Sequence, residues 1–216
     1  LYSNENLRRF FEASIPDGAR TFGDIHHPRL FITATHLDSA ELHLYGDDPK
    51  ETILDALMST TALPPLSPPW RGADGKLHID GGVISDLPIG LALDKGARDI
   101  YALHIQDAPD REAKIRNVID VSQVAVRILV RQRFESELAR VRLKRNVRLH
   151  HIMLRGNTAW NFDDFSHADE LMAQGYEQTQ AFLQSEERTR GAQMREAALR
   201  VWQSIASVGR NKPPKA

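Results

Sequence analysis

"KLHIDGGVISDLPIGLALDKGARDIYAL", Lys76 to Leu103, carries the reading of the fold. Leu77 and Ile79 alternate with His78 as in a strand, and the run stops at Asp80-Gly81-Gly82. Val83-Ile84 restarts it, and Pro88 punctuates it again. Pro88 to Lys95 reads as a short helix closed by Gly96 in the C′ position. "RDIYALHI", Arg98 to Ile105, reads as the next strand. Upstream, "WRGADGKLHID" reads as a hairpin with Asp74-Gly75 as its turn.

Working outward, Asn4 to Phe11 reads as a helix, and "RLFITATHL", Arg29 to Leu37, as a buried strand. "AELHLYG" continues as a second strand ending at Gly46. The segment from Asp48 reads as a helix start, with Asp48 as N-cap, Pro49 at the first helical position and Glu51 completing a capping box. Ile53, Leu54, Leu57 and Met58 form its apolar face. "LPPLSPP", Leu63 to Pro69, is a stiff loop, since proline cannot continue a helix or a central strand. Glu112 to Arg145 has helical periodicity, Val147 to Leu154 reads as a strand, and helices follow over Ser166–Gln184 and Thr189–Val208, with Ser166 as N-cap. The alternation of strands and helices implies an α/β layered domain with a mainly parallel sheet.

Length and composition set outer bounds. The 216 residues suffice for one sizeable domain or two small ones. A net charge of −1 argues neither for nor against nucleic acid. The absence of cysteine excludes a disulfide framework and thiolate zinc sites. No apolar run approaches the ~18 residues of a spanning helix. Localisation stays open, with a cytoplasmic or peripheral-membrane setting favoured. The chain opens Leu1-Tyr2-Ser3, without an initiator Met or a signal-like segment, so a longer polypeptide is expected.

Asp-Gly pairs commonly mark turns, because glycine supplies positive φ and Asp tolerates it. That reading covers Asp74-Gly75. Asp80 differs in context. It ends a strand, is followed by two residues that permit close backbone approach, and precedes a proline-led helix. A carboxylate there is open to a group arriving from another loop, at the strand edge where α/β sheets form sites.

Other chemistry is weaker. His26-His27 and His150-His151 are adjacent pairs, which a strand sends to opposite faces. No H-x-x-x-H or H-E-x-x-H spacing occurs, so no metal site is expected. There is no G-x-S-x-G, G-x-G-x-x-G or phosphate loop. Ser59, Thr60 and Thr61 read as polar residues at a helix end. The helix over 112–145 is basic. It reads as a solvated face with a core stripe, or as a surface for anionic lipid headgroups.

The order of these features resembles the C-terminal half of a patatin-like phospholipase domain, over residues 7 to about 183. "LFITATHLDSAELHLYG" resembles that family's strand pair, and "ILDALMSTTALPPLSPPW" its helix leading into a serine- and proline-containing loop. "HIDGGVISDLPIGLALDKGARDIYAL" resembles its Asp-Gly-Gly/Ala segment with the helix, Gly-Ala and strand that follow. "NVRLHHIML" and "DFSHADELMAQGYEQTQAFL" resemble its closing strand and helix. The resemblance implies the C-terminal portion of a three-layer α/β/α domain over 1–185, followed by a C-terminal helix and polar tail over 186–216.

It further implies a lipid acyl hydrolase with a Ser–Asp dyad. Asp80 corresponds to the dyad Asp, and Gly81 and Gly82 to its motif glycines. The family's nucleophile turn and oxyanion loop have no counterpart in these residues. Asp86 stands where the family often has Asn. The implied substrate is a lipid or small ester, with no cofactor, metal or nucleic acid, and the basic helix 112–145 is a candidate contact with an anionic membrane surface. The alternative is a non-catalytic lipid- or partner-binding half-domain, or one subunit of a split protein.

Overall fold

A computed structural model of the chain describes residues 4–64, 66–106, 117–156 and 165–210. The chain divides into two compact units. Unit 1 comprises Leu1–Ile100 and Glu112–Leu149, and unit 2 comprises Tyr101–Arg111 and His150–Ala216.

Unit 1 is built on a four-stranded sheet. Its strands are β1 (Ile32–His36), β2 (Leu42–Tyr45), β3 (Trp70–Arg71) and β4 (Leu77–Asp80), in the order β2-β1-β4-β3. Every pairing in this sheet is antiparallel, which corrects the expectation of a mainly parallel sheet. The reason is loop length. Residues 37–41 join β1 to β2 and 72–76 join β3 to β4, and hairpin-sized loops cannot make the crossover of a dozen or more residues that parallel pairing needs. The α/β class stands.

Helix α1 (Glu5–Ser14) and helix α2 (Ile53–Thr60) supply the helical side. Phe22, Ala34, Tyr45, Ile53 and Ala56 form a buried cluster between the sheet and α2, closed by Ile15 just beyond α1. The start of α2 differs from the expectation. Thr52 is its N-cap, its Oγ1 accepting the Asp55 N–H at 3.2 Å. Asp48 instead closes a turn, accepting the Lys50 N–H, and Glu51 reaches back to His43 Nε2 and the Gly46 N–H, both at 2.9 Å. Strand β2 thus takes the carboxylate that a capping box would have used.

After β4 the chain makes a single 3-10 turn, Gly81–Val83, and enters helix α3 (Ile89–Asp94). Gly96 at φ +88° closes it, as glycine at C′ should. Helix α4 (Val118–Arg142) begins at a capping box between Asn117 and Asp120. Phe134, Leu138 and Val141, at helical spacing, form its buried stripe. The basic segment's residues 112–116 lie outside the described residues.

Strands β5 (Asp99–Gln106) and β6 (Arg148–Arg155) pair in a separate two-stranded sheet. Arg148 N–H donates to Arg98 O, the Tyr101 ring stacks on His150, and His104 Nδ1 meets His151 Nε2 at 3.1 Å. Residue numbers rise together along both strands, so this pair is parallel, as expected for strands joined through a helix.

In unit 2, β6 carries α5 (Ala168–Arg210). Gln178 accepts the Arg155 N–H and donates to the Arg155 carbonyl, both at 2.8 Å, and buried His150 Nδ1 bonds to Glu186. Two helices were expected here, over 166–184 and 189–208, and one continuous helix is observed. No proline interrupts the junction, and the Ser185 and Thr189 hydroxyls bond to helix carbonyls, of Phe182 and Ser185. Among the described residues, no helix is long and apolar enough to cross a membrane.

Candidate functional site

The two ends of β4 carry the polar constellations of unit 1. At its C-terminal end, the Asp80 backbone is fixed on both sides. Its N–H donates to the Ala62 carbonyl beyond α2 (3.1 Å), and its carbonyl accepts the Thr35 hydroxyl of β1 (3.1 Å). The side chain is half-buried. Oδ1 accepts the Gly82 N–H at 2.7 Å, and among the described residues this is the one hydrogen bond its carboxylate accepts. Burial raises the Asp80 pKa, the Gly82 N–H opposes that rise, and the charge of Asp86 adds to it, leaving the carboxyl above its ordinary value. The departure at Asp86 therefore acts on Asp80 directly.

The two glycines do different things. A Cβ on Gly81 would lie 2.4 Å from Thr33 Oγ1 and 2.6 Å from the Thr33 carbonyl oxygen, so the corner packs directly on β1 and excludes any side chain. A Cβ on Gly82 would meet Asp80 Oδ1 at 3.2 Å and little else. Gly82 matters chiefly as the donor that orients the carboxylate.

Glu137 of α4 secures the downstream side. Its Oε1 accepts the Gly90 N–H at 2.5 Å and its Oε2 accepts the Ser85 hydroxyl at 3.3 Å. A helix in the basic segment thus holds the start of α3 through one of the few acids in that segment. Sequence reading weighed the arginines there and missed Glu137.

At the other end of β4, Asp74-Gly75 forms the expected turn. Gly75 has φ +79°, its N–H donates to the Gly72 carbonyl, and Asp74 Oδ1 accepts the Lys76 N–H at 2.9 Å. The turn does more than was read from it. Both oxygens of Asp74 lie 3.2 Å from Nε2 of His78, and Oδ2 lies 3.5 Å from Nε2 of His36. Burial pushes the Asp74 carboxyl up, but the Lys76 N–H and His78 outweigh it, so it sits below its ordinary value.

A polar network extends from there across the sheet's α2 face. His78 Nδ1 meets the Tyr45 hydroxyl at 3.0 Å, and that hydroxyl also meets Ser59 Oγ at 2.9 Å and donates to Asp55 at 3.3 Å. Burial raises the Tyr45 pKa far above that of a free phenol, so the hydroxyl stays neutral. Ser59 was read as an ordinary helix-end polar residue and is fully buried in this network. The donor atoms of His36, Asp74 and His78 all lie within 4.8 Å of one another, so these three could hold a metal ion. The adjacent pairs do not converge in this way. His150 bonds to Glu186 while His151 meets His104.

Unit 1 thus presents a half-buried carboxylate on a strand–glycine–helix corner of an α/β fold. A family model described as Patatin-like phospholipase matches residues 1–93, a span containing α1, α2, the whole four-stranded sheet and Asp80-Gly81-Gly82. The match supports a patatin-like assignment, a family of lipid acyl hydrolases of the lipase and esterase type. It ends at Leu93, before the strands and helices that sequence order alone aligned. No curated protein matches the chain.

Proposed function

We propose that this chain contributes the aspartate of a Ser–Asp dyad in a lipid acyl hydrolase, with Asp80 as general base. The observation that carries this reading is the Asp80 carboxylate itself. It is half-buried, aimed by the Gly82 N–H, and more basic than an ordinary carboxylate. An acyl transfer needs a base within hydrogen-bond reach of the serine hydroxyl, and an Asp at its ordinary value, near 3.8, is a weak one. Desolvation narrows that mismatch. Gly81 removes side-chain bulk at the corner. The serine is supplied by a segment outside these 216 residues, since they contain no G-x-S-x-G. The serine oxygen attacks the ester carbonyl while its proton passes to Asp80. Asp80 gives that proton to the departing alkoxide, which leaves as the alcohol. Asp80 then takes a proton from water as it attacks the acyl-enzyme, returning it to the serine as the acid is released.

The test is hydrolysis of a short-chain p-nitrophenyl ester by the complete polypeptide. Asp80→Asn keeps the acceptor for Gly82 but removes the base. Turnover is expected to fall by about 10²–10⁴-fold, and unchanged turnover rejects the assignment.

A second reading, lipid binding through α4, has its own observation. The helix exposes Arg131, Arg133, Arg140 and Arg142 together with Val118, Ile128 and Leu129. Each such cation contributes about 1 kcal/mol near an anionic surface. Sedimentation with anionic vesicles and not with neutral ones supports this reading, and equal pelleting rejects it.

A further inference from the structure

We infer that His36, Asp74 and His78 form a binding site for one divalent transition-metal cation of the zinc type, which ties the β3–β4 hairpin to β1. The inference is independent of the hydrolase reading and places the ion at the opposite end of β4 from Asp80.

The register brings the ligands together. His36 of β1 and His78 of β4 are directly opposed cross-strand partners, so their side chains share one face, with ring centroids 4.6 Å apart. Asp74 lies four residues before His78, and the turn folds its carboxylate back over that face. Bonds of about 2.0–2.2 Å to nitrogen and oxygen in a tetrahedral site place ligand atoms roughly 3.3–3.6 Å apart. The 3.2 Å from His78 Nε2 to Asp74 and the 3.5 Å from His36 Nε2 to Asp74 Oδ2 are close to that spacing.

The strongest single observation is an unmet need. His36 is 7% exposed, and its Nε2 is buried without a hydrogen bond. Native proteins rarely leave such an atom unsatisfied, and each instance asks for an explanation. An ion at this point supplies the missing partner. Burial and the neighbouring His78, Lys76 and His43 favour the neutral ring, which is the form that ligates.

Support behind the ligands fits as well. A ligating histidine usually donates its other N–H to an oxygen that fixes ring and tautomer. His78 has the Tyr45 hydroxyl at 3.0 Å in that position, itself bonded to Ser59 and Asp55. Lys76 Nζ lies 3.4 Å from His36 Nδ1, and this exposed side chain must turn to solvent once Nδ1 carries the proton. Gly72 leaves the donor atoms uncrowded, since a Cβ there would stand 2.9 Å from Asp74 Oδ1 and 3.2 Å from His78 Nε2. Two imidazoles and one carboxylate select zinc-like ions over magnesium or calcium, which prefer oxygen throughout. Water completes the fourth position.

The tag-free, EDTA-treated chain is titrated with Zn²⁺ by calorimetry and, in parallel, with Co²⁺ by visible absorption. One ion per chain is expected, with the cobalt d–d bands of a tetrahedral site. The melting temperature is expected to rise by about 5–10 °C at free Zn²⁺ a hundredfold above Kd. Asp74→Asn preserves the turn and should weaken binding about tenfold or more, as should His36→Gln, with circular dichroism confirming that both variants fold. No stoichiometric binding by the unmodified chain overturns the inference. So does binding of unchanged strength in both folded variants, which would put the ion elsewhere.

Discussion

The two ends of β4 carry the same dipeptide, Asp-Gly, and the chain uses it in opposite ways. At Asp74-Gly75 the glycine has a left-handed backbone and open space around it, and the carboxylate is held below its ordinary pKa. At Asp80-Gly81 the glycine packs against β1 with no room for a methyl group, and the carboxylate is held above its ordinary pKa. The dipeptide fixes neither the charge state nor the packing. What decides them is whether hydrogen-bond donors outweigh burial around the acid, and whether the glycine faces open space or another strand.

Four measurements bear on that contrast. The largest expected effect is the loss of about 10²–10⁴-fold in ester hydrolysis for Asp80→Asn, set against little change for Asp74→Asn in the same assay. Equal losses at both sites would erase the functional distinction. Next comes stability. Gly81→Ala drives a methyl group into the Thr33 backbone and should cost about 3 kcal/mol in denaturant unfolding. Gly75→Ala meets nothing and should cost only the left-handed penalty of about 1 kcal/mol.

Gly82→Ala sharpens the comparison further. Its Cβ would press only on Asp80 Oδ1, which must shift by a few tenths of an ångström. Unfolding free energy should change by less than about 1 kcal/mol, while ester hydrolysis falls measurably.

The smallest effect concerns pH. A raised folded-state pKa means the folded chain binds that proton more tightly than the unfolded chain. The stability Asp80 contributes is therefore full below the unfolded value of 3.8 and is lost as pH rises through the folded value. Asp80→Asn lacks the charge, so its melting temperature should exceed that of the unmodified chain at pH 7. The gap should close as pH falls toward 3.8. A gap that widens in acid would mean that the carboxylate is stabilised when ionised.

These contrasts show what could be read from sequence. The Asp74-Gly75 turn, the glycine corner after Asp80 and the Gly96 stop of α3 were legible because each depends on backbone geometry within a few residues. The β3–β4 hairpin was read from its turn, but the antiparallel pairing of β1 with β2 was not, although the short loop 37–41 was the available signal. The cap of α2 was misassigned because Glu51 had two possible partners, and only the folded chain shows that β2 claims it. His36, Asp74 and His78 escaped notice because motif spacings search along the chain, whereas cross-strand register brought His36 to the other two. The Asp74-to-His78 interval of four, spanning a turn, was the one local hint. Glu137 could not have been found, since nothing nearby in sequence needs it.

That last contact also bears on the order in which the protein assembles at the ribosome. Glu137 follows Gly90 by 47 residues. At roughly 5–20 residues per second, the chain waits on the order of 2–10 s between synthesis of the corner and arrival of the carboxylate that secures its downstream side. During that interval Ser85 and the start of α3 lack the two hydrogen bonds that Glu137 accepts. Nascent chains stalled before and after Glu137 emerges should differ in protease cleavage near Ser85.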